Sequence, residues 1–307
     1  ELEPVIDVVP AVTHTINATP ENNAIDYAAG PNSGIISLLN PAGDITAQVT
    51  VDNYEADEFA NKTNVVINAL AGDDVININL VPTPTGLSGT VAVDAGAPGG
   101  SDRLVVTGTA AAEAFEYAPN APDGGTLVLP GPDVVFSQVE AVAIDGRSDL
   151  NDDSLTVRSE GGVDYVVLEP GAAFDSGTVW IRSSAGAEST PPLTFRALGE
   201  DAWVSLASGA PNVREDIFEY LGTNTSDAFA VTAANGGTVL LNQQLEVRFP
   251  GAGPPPGMSA VSRSRAAPPA ASPAPLPRPR RRLPGGPSGR RTPGGSAGSP
   301  PHGPSTA

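Results

Sequence analysis

The chain has 307 residues, a formal charge of −19, no cysteine and only 5% aromatic residues. That excludes disulfide staples and thiolate metal sites, and the absence of an apolar run of about 18 residues excludes a helical membrane span. Residues 1–250 hold all 35 acids against eight basic residues, a surface that repels nucleic acid and anionic membrane and attracts cations, whereas the remainder has eight arginines and no acid.

The chain opens on Glu1 with no charged-then-apolar leader, which reads as a piece of a longer protein or a mature form. Residues 1–22 alternate weakly (Val5, Val8, Val12) and are cut by Pro4, Pro10 and Pro20, as a linker or a capping strand would be. From Asn23 the alternation sharpens, first at Ala24-Ile25-Asp-Tyr27 and then at Ser33-Gly34-Ile35-Ile-Ser-Leu38. Apolar residues at every second place mean strands, since successive side chains point to opposite faces. The best helix candidate, Tyr54 to Asn61, is short and sits among Asp- and Asn-rich turns.

One phrase recurs without a gap. Asp102-Arg-Leu104-Val-Val106-Thr-Gly108-Thr109, three residues, then Glu113-Ala-Phe115-Glu-Tyr117 is matched by Asp216-Ile-Phe218-Glu-Tyr220-Leu-Gly222-Thr223, three residues, then Asp227-Ala-Phe229-Ala-Val231. A second phrase leads into it: a strand ending in Asp or Asn, a glycine turn, then an acid and the next strand. It begins near Val65, Val91, Val142 and Val204. A third, Gly-Gly-Thr and an apolar strand, stands at Gly124 and Gly236, with a looser copy at Ser176. The unit takes roughly 50 to 65 residues, within or just above the range of repeat architectures. Units that bury one face each need neighbours to complete a core. The expectation is an all-β repeat region over 23–249, a β-solenoid or β-helix, with tandem small β-sandwiches as the alternative.

After Phe249 the unit stops where its first copy continues to Val139-Glu140-Ala-Val142, and residues 250–307 become rich in Pro, Gly, Ala, Ser and Arg. No core forms from such a composition, so a disordered tail is expected. Its residue types are also those that GC-rich codons spell in a wrong frame, so a frameshifted end stands beside a genuine linker or stalk.

The acids before the strands are the candidate site: Gly72-Asp73-Asp74-x-Ile76, Gly99-Gly100-Ser-Asp102-x-Leu104 and Asn151-Asp152-Asp153-x-Leu155. Carboxylates in glycine-containing turns offer several oxygens to a hard cation, which takes six to eight. They also end strands, bond the turn backbone and keep edges from pairing. The pattern resembles the nonapeptide of haemolysin-type (RTX) calcium-binding repeats, G-G-x-G-x-D-x-apolar-x. No nonapeptide here is complete and none stands in tandem. In that family the glycine turns and the aspartate bind calcium between successive coils, so the resemblance implies calcium at Asp74, Asp102 and Asp153, with Asp73 and Asp152 beside them. At larger scale the unit resembles the repeats of very large acidic bacterial surface or secreted proteins, and that likeness implies adhesion, surface layers or matrix.

An enzyme is the competing class, since right-handed β-helices host enzymes that cut acidic polysaccharides with clustered carboxylates. Against it, adjacent strand residues such as Asp73 and Asp74 point to opposite faces, and the only histidines are His14 and His302. Three glycosylation sequons (at Asn17, Asn61 and Asn224) receive no role, and Trp180 and Trp203 read as half-buried strand positions rather than carbohydrate platforms. The expectation is a non-enzymatic structural or adhesive segment, extracellular or at the cell surface, with calcium as the candidate ligand beside the purely structural reading of the acids and a protein or glycan surface as partner.

Overall fold

The computed structural model describes residues 4–30, 46–84, 86–97, 101–147, 152–159, 164–183, 190–208, 217–223, 227–232, 237–242, 245–249 and 260–263. Among them there are strands and turns and no helix. The chain is all-β.

It opens with β1 (Val5–Asp7) and β2 (Ala11–Asn17), then an antiparallel meander of β3 (Ala24–Ala29), β4 (Ala47–Val51) and β5 (Asp57–Phe59). Four single strands follow: β6 (Lys62–Asn68), β7 (Val75–Asn79), β8 (Val91–Asp94) and β9 (Arg103–Thr107). A second meander, β10 (Ala114–Ala121), β11 (Gly124–Val128) and β12 (Val134–Ser137), leads to β13 (Ala141–Asp145) and β14 (Ser154–Ser159). The third, β15 (Asp164–Pro170), β16 (Gly177–Ser183) and β17 (Leu193–Arg196), leads to β18 (Trp203–Ser208) and β19 (Ile217–Leu221). The last is β20 (Phe229–Thr232), β21 (Thr238–Leu241) and β22 (Glu246–Arg248), followed by β23 (Ala260–Arg263).

These strands make two sheets. The first has 12 strands in the order β1-β5-β4-β3-β7-β9-β13-β17-β16-β15-β19-β23, and the second has 11 in the order β2-β6-β8-β12-β11-β10-β14-β18-β22-β21-β20. Single strands alternate between the sheets and pair in parallel with strands of the neighbouring pass. Between one meander and the next the chain crosses an odd number of times, so successive meanders lie in opposite sheets. The sequence units therefore start in different sheets: those at Val65, Val91 and Val204 in the 11-stranded one, that at Val142 in the 12-stranded one. No closed solenoid coil is found among the described residues.

The alternation reads directly into the core. In the 12-stranded sheet Ile25, Ile76, Leu104, Val142 and Leu193 are in-register neighbours forming one buried row. A second row is Tyr27, Ile78, Val106, Ile144 and Phe195. The 11-stranded sheet answers with Phe115, Leu155, Val204 and Val247. Each fully buried side chain of this kind contributes roughly 1.5–3 kcal/mol, and the two sheets share one hydrophobic cluster. Few aromatics suffice because the rows run across many strands.

Several sequence expectations change. The stretch from Tyr54 to Asn61 holds β5 rather than a helix, because Phe59 turns into the core beside Ala47. Residues 1–22 hold two strands, each at the end of its sheet. Of the 250–307 stretch only Ala260–Arg263 is described, and it pairs in parallel with β19. The strand expected at Ser33 to Leu38, and Gly99, Gly100, Asn151 and Asp216, lie outside the described residues.

Candidate functional site

Many crossings between sheets end on a polar residue just before the next strand (Asn23, Asn61, Asp74, Thr90, Asp102, Glu113, Glu140 and Asp153), and there the chain concentrates its buried carboxylates. Asp74, Asp102 and Asp153 precede β7, β9 and β14, and each is at most 1% exposed. A strand's first N–H has no ladder partner of its own, so a carboxylate from the neighbouring pass can take it. The main-chain N–H of Asn23 donates to Asp74 Oδ1 (2.7 Å), that of Asp74 to Asp102 Oδ1 (2.6 Å), and that of Asp102 to Glu140 Oε2 (2.8 Å). In the other sheet the N–H of Glu113 donates to Asp153 Oδ1 (2.8 Å).

The preceding acid of each pair works the other way. Asp73 Oδ1 accepts the N–H of Ser101 (3.0 Å), and Asp152 Oδ1 accepts that of Asp201 (2.8 Å). Each Asp-Asp dipeptide is thus a two-way clamp: its second carboxylate bonds the pass before it and its first bonds the pass after it. Because they reach in opposite directions, neither pair converges on one bond or one ion.

Oδ2 of Asp74, Asp102 and Asp153 is buried and has no hydrogen-bond partner. Burial disfavours the charged form, so desolvation raises all three carboxyls above their ordinary range; hydrogen bonds from main-chain N–H groups oppose this, and neighbouring acids add to it. Asp153 is pushed up to about 7, with Glu113 and Asp152 adding repulsion. Its Oδ2 and the carbonyl of Ala197 both crowd Gly146, where a Cβ has no room. The glycine after Asp145 is there for that approach.

The recurrent Gly-Thr turn has its own lock. Glu113 accepts from the N–H and the hydroxyl of Thr109, both at 2.8 Å. Asn23 accepts the same pair from Thr19 (3.0 and 3.2 Å), and Asp227 accepts the hydroxyl of Thr223 (2.6 Å). An acceptor four residues after the threonine closes the turn each time, and the copy at Thr19 escaped the sequence reading because Ala18 replaces the glycine.

A second polar cluster, absent from the sequence reading, lies at the start of the chain. His14 Nε2 is 2.9 Å from Asp57 Oδ2, and its ring packs on Phe59 with centroids 4.7 Å apart. The wholly buried Lys62 ammonium is 2.8 Å from Asp7 Oδ2 and donates to the carbonyl of Val9 (2.6 Å). The hydrogen bond from Lys62 holds Asp7 below the usual carboxylate range, helped by the N–H of Val9. These groups come from β1, β2, β5 and β6, so no local motif announces them. Nearby, a cavity of about 290 Å³ is walled by Ile16, Val49, Val51, Tyr54, Glu55 and Asp57.

Among the described residues no three His, Cys, Asp or Glu side chains gather as a metal site, and no helix is long and apolar enough to cross a membrane. Trp180 and Trp203 are half-buried on the outer faces of their sheets, Trp203 under the Arg248 guanidinium at 3.9 Å. No family model, curated protein or solved structure matches the chain.

Proposed function

We propose that this chain is a structural or adhesive segment of a secreted or cell-surface bacterial protein, built from units that pass back and forth between two sheets. The observation carrying this reading is what the recurrent acids do: each spends an oxygen on the backbone of an adjacent pass. Catalysis needs one special place, whereas these carboxylates are spread along the ladder as equivalent fastenings. The parallel registers at Asp74, Asp102 and Asp153 support a stacked, solenoid-like arrangement, and a protein or glycan surface is the partner this reading implies.

Calcium belongs to the proposal as a stabiliser at the three unpartnered Oδ2 atoms, which a cation or a proton would satisfy. Thermal unfolding in millimolar calcium and in chelator tests it, because a ligand of the folded state raises the midpoint. An unchanged midpoint removes calcium and leaves the structural reading standing. Turnover of an acidic polysaccharide by the purified chain would replace that reading with the enzyme.

A further inference from the structure

Lys62 is the only lysine among the chain's 16 basic residues. Its side chain is wholly buried, with the ammonium 2.8 Å from Asp7 Oδ2. Long cations seldom go fully under cover, and an ion pair offsets that desolvation only with very good geometry. A lysine also differs from an arginine in one chemical respect: it can give up a proton and become a nucleophile.

The surroundings of the pair suit an attack on the carboxyl carbon. Lys62 Nζ also donates to the carbonyl of Val9 (2.6 Å), which fixes its direction. Asp7 Oδ1 accepts the N–H of Val9 (2.9 Å), so one carboxyl oxygen already faces a main-chain donor. Such a donor stabilises charge that grows on an oxygen during acyl transfer. The other oxygen, Oδ2, lies 3.8 Å from His14 Nδ1, and His14 Nε2 is 2.9 Å from Asp57 Oδ2. With Asp57 accepting from Nε2, Nδ1 is the nitrogen left to carry a proton. Nucleophile, carboxyl, oxyanion donor and proton carrier meet here from β1, β2, β5, β6 and the turn at Val9.

We infer that Lys62 and Asp7 condense into an amide bond, an isopeptide link that ties β1 of the 12-stranded sheet to β6 of the 11-stranded one. The ammonium passes a proton to Oδ2 along their hydrogen bond, and the freed lone pair attacks Cγ, moving an electron pair onto Oδ1. Collapse restores the C=O bond and breaks the bond from Cγ to Oδ2. Oδ2 leaves as water, taking the second proton that the nitrogen sheds, carried by His14. No oxidant, reductant or co-reactant is needed, because proximity replaces the activation that free amines and carboxylates require. The ion pair is the resting form, since Lys62 keeps Asp7 ionised. Condensation therefore draws on the minor neutral pair and is slow after folding. A chain without cysteine gains in this way a cross-link indifferent to redox conditions.

The intact mass of the full chain, followed from purification through prolonged incubation at neutral pH, reads the reaction directly. The folded chain should become lighter by one water, and chain held in urea should not. Cleavage after glutamates should then release one species that joins the peptide holding Asp7 to the peptide holding Lys62. Lys62→Arg and Asp7→Ala should both keep the full mass. Should either variant fail to fold, the joined peptide of the parent chain still decides. An unchanged mass, an equal loss in urea, a water loss that persists in Lys62→Arg, or a lighter chain without the joined peptide would each overturn the inference.

Discussion

The main-chain N–H of Asp74 donates to Oδ1 of Asp102 at 2.6 Å, although 28 residues separate them. One oxygen of a buried carboxylate closes the gap between two parallel strands, while its second oxygen has no partner. Removing the carboxyl leaves a buried N–H unpaired, which costs about 1–3 kcal/mol. Asp102→Ala should therefore lower stability in urea unfolding by about that amount. Asp102→Asn keeps an acceptor at Oδ1 and should lose clearly less.

Burial on folding pushes the Asp153 carboxyl up to about 7 from the ordinary carboxylate range. A carboxyl raised in the folded state gives stability that is complete below the unfolded value and lost as pH climbs through the folded one. In chelator, the melting midpoint should fall between pH 4 and pH 7 from this group, an effect on the order of 4 kcal/mol. Asp7, Glu116 and Asp227 shift the opposite way and weaken the fold as the solution becomes more acid. Asp153→Asn should flatten the loss near neutral pH. A midpoint of the parent chain that rises steadily from pH 5 to pH 7 would contradict the assignment.

Gly146 faces both Asp153 Oδ2 and the Ala197 carbonyl. Gly146→Ala should destabilise by about 1–3 kcal/mol, the usual cost of overpacking. Pairing it with Asp153→Ala, which clears the crowded oxygen, should give a loss smaller than the two single losses together. Strict additivity in that double-mutant cycle would sink the packing argument.

Lys62 places its ammonium on Asp7 and the Val9 carbonyl, holding the first two strands to β6. Lys62→Met retains the buried stem but removes the donor. The expected result is a loss of about 1–3 kcal/mol and a return of the Asp7 carboxyl towards its ordinary titration range. Carboxyl-resolved NMR titration reads the second effect separately from the first.

Much of the fold was legible in particular residues. The period-two pattern at Leu104 and Val106, at Phe115 and Tyr117, and at Phe218 and Tyr220 marks inward positions, and all six side chains are buried. The Gly-Thr turn with its following acid was legible as a recurrent joint, because the lock between Thr109 and Glu113 spans only four residues. The strand within Tyr54 to Asn61 was not legible, since it is fixed by Phe59 entering a core assembled from distant residues. The pairing of His14 with Asp57 was invisible for the same reason, as its partners stand 43 residues apart.

The Asp-Asp pairs mark the boundary between the two kinds of knowledge. Alternation and punctuation alone determined that acids stand at the mouths of strands, and that two adjacent acids face apart, because these are properties of a pleated backbone. Only the tertiary structure decided where the carboxylates reach: Asp74 to the pass before it, Asp73 to the pass after it. It also decided that the chain crosses between meanders an odd number of times, placing successive meanders in opposite sheets. Register between parallel strands depends on which residues meet across long separations, and no local pattern carries that information.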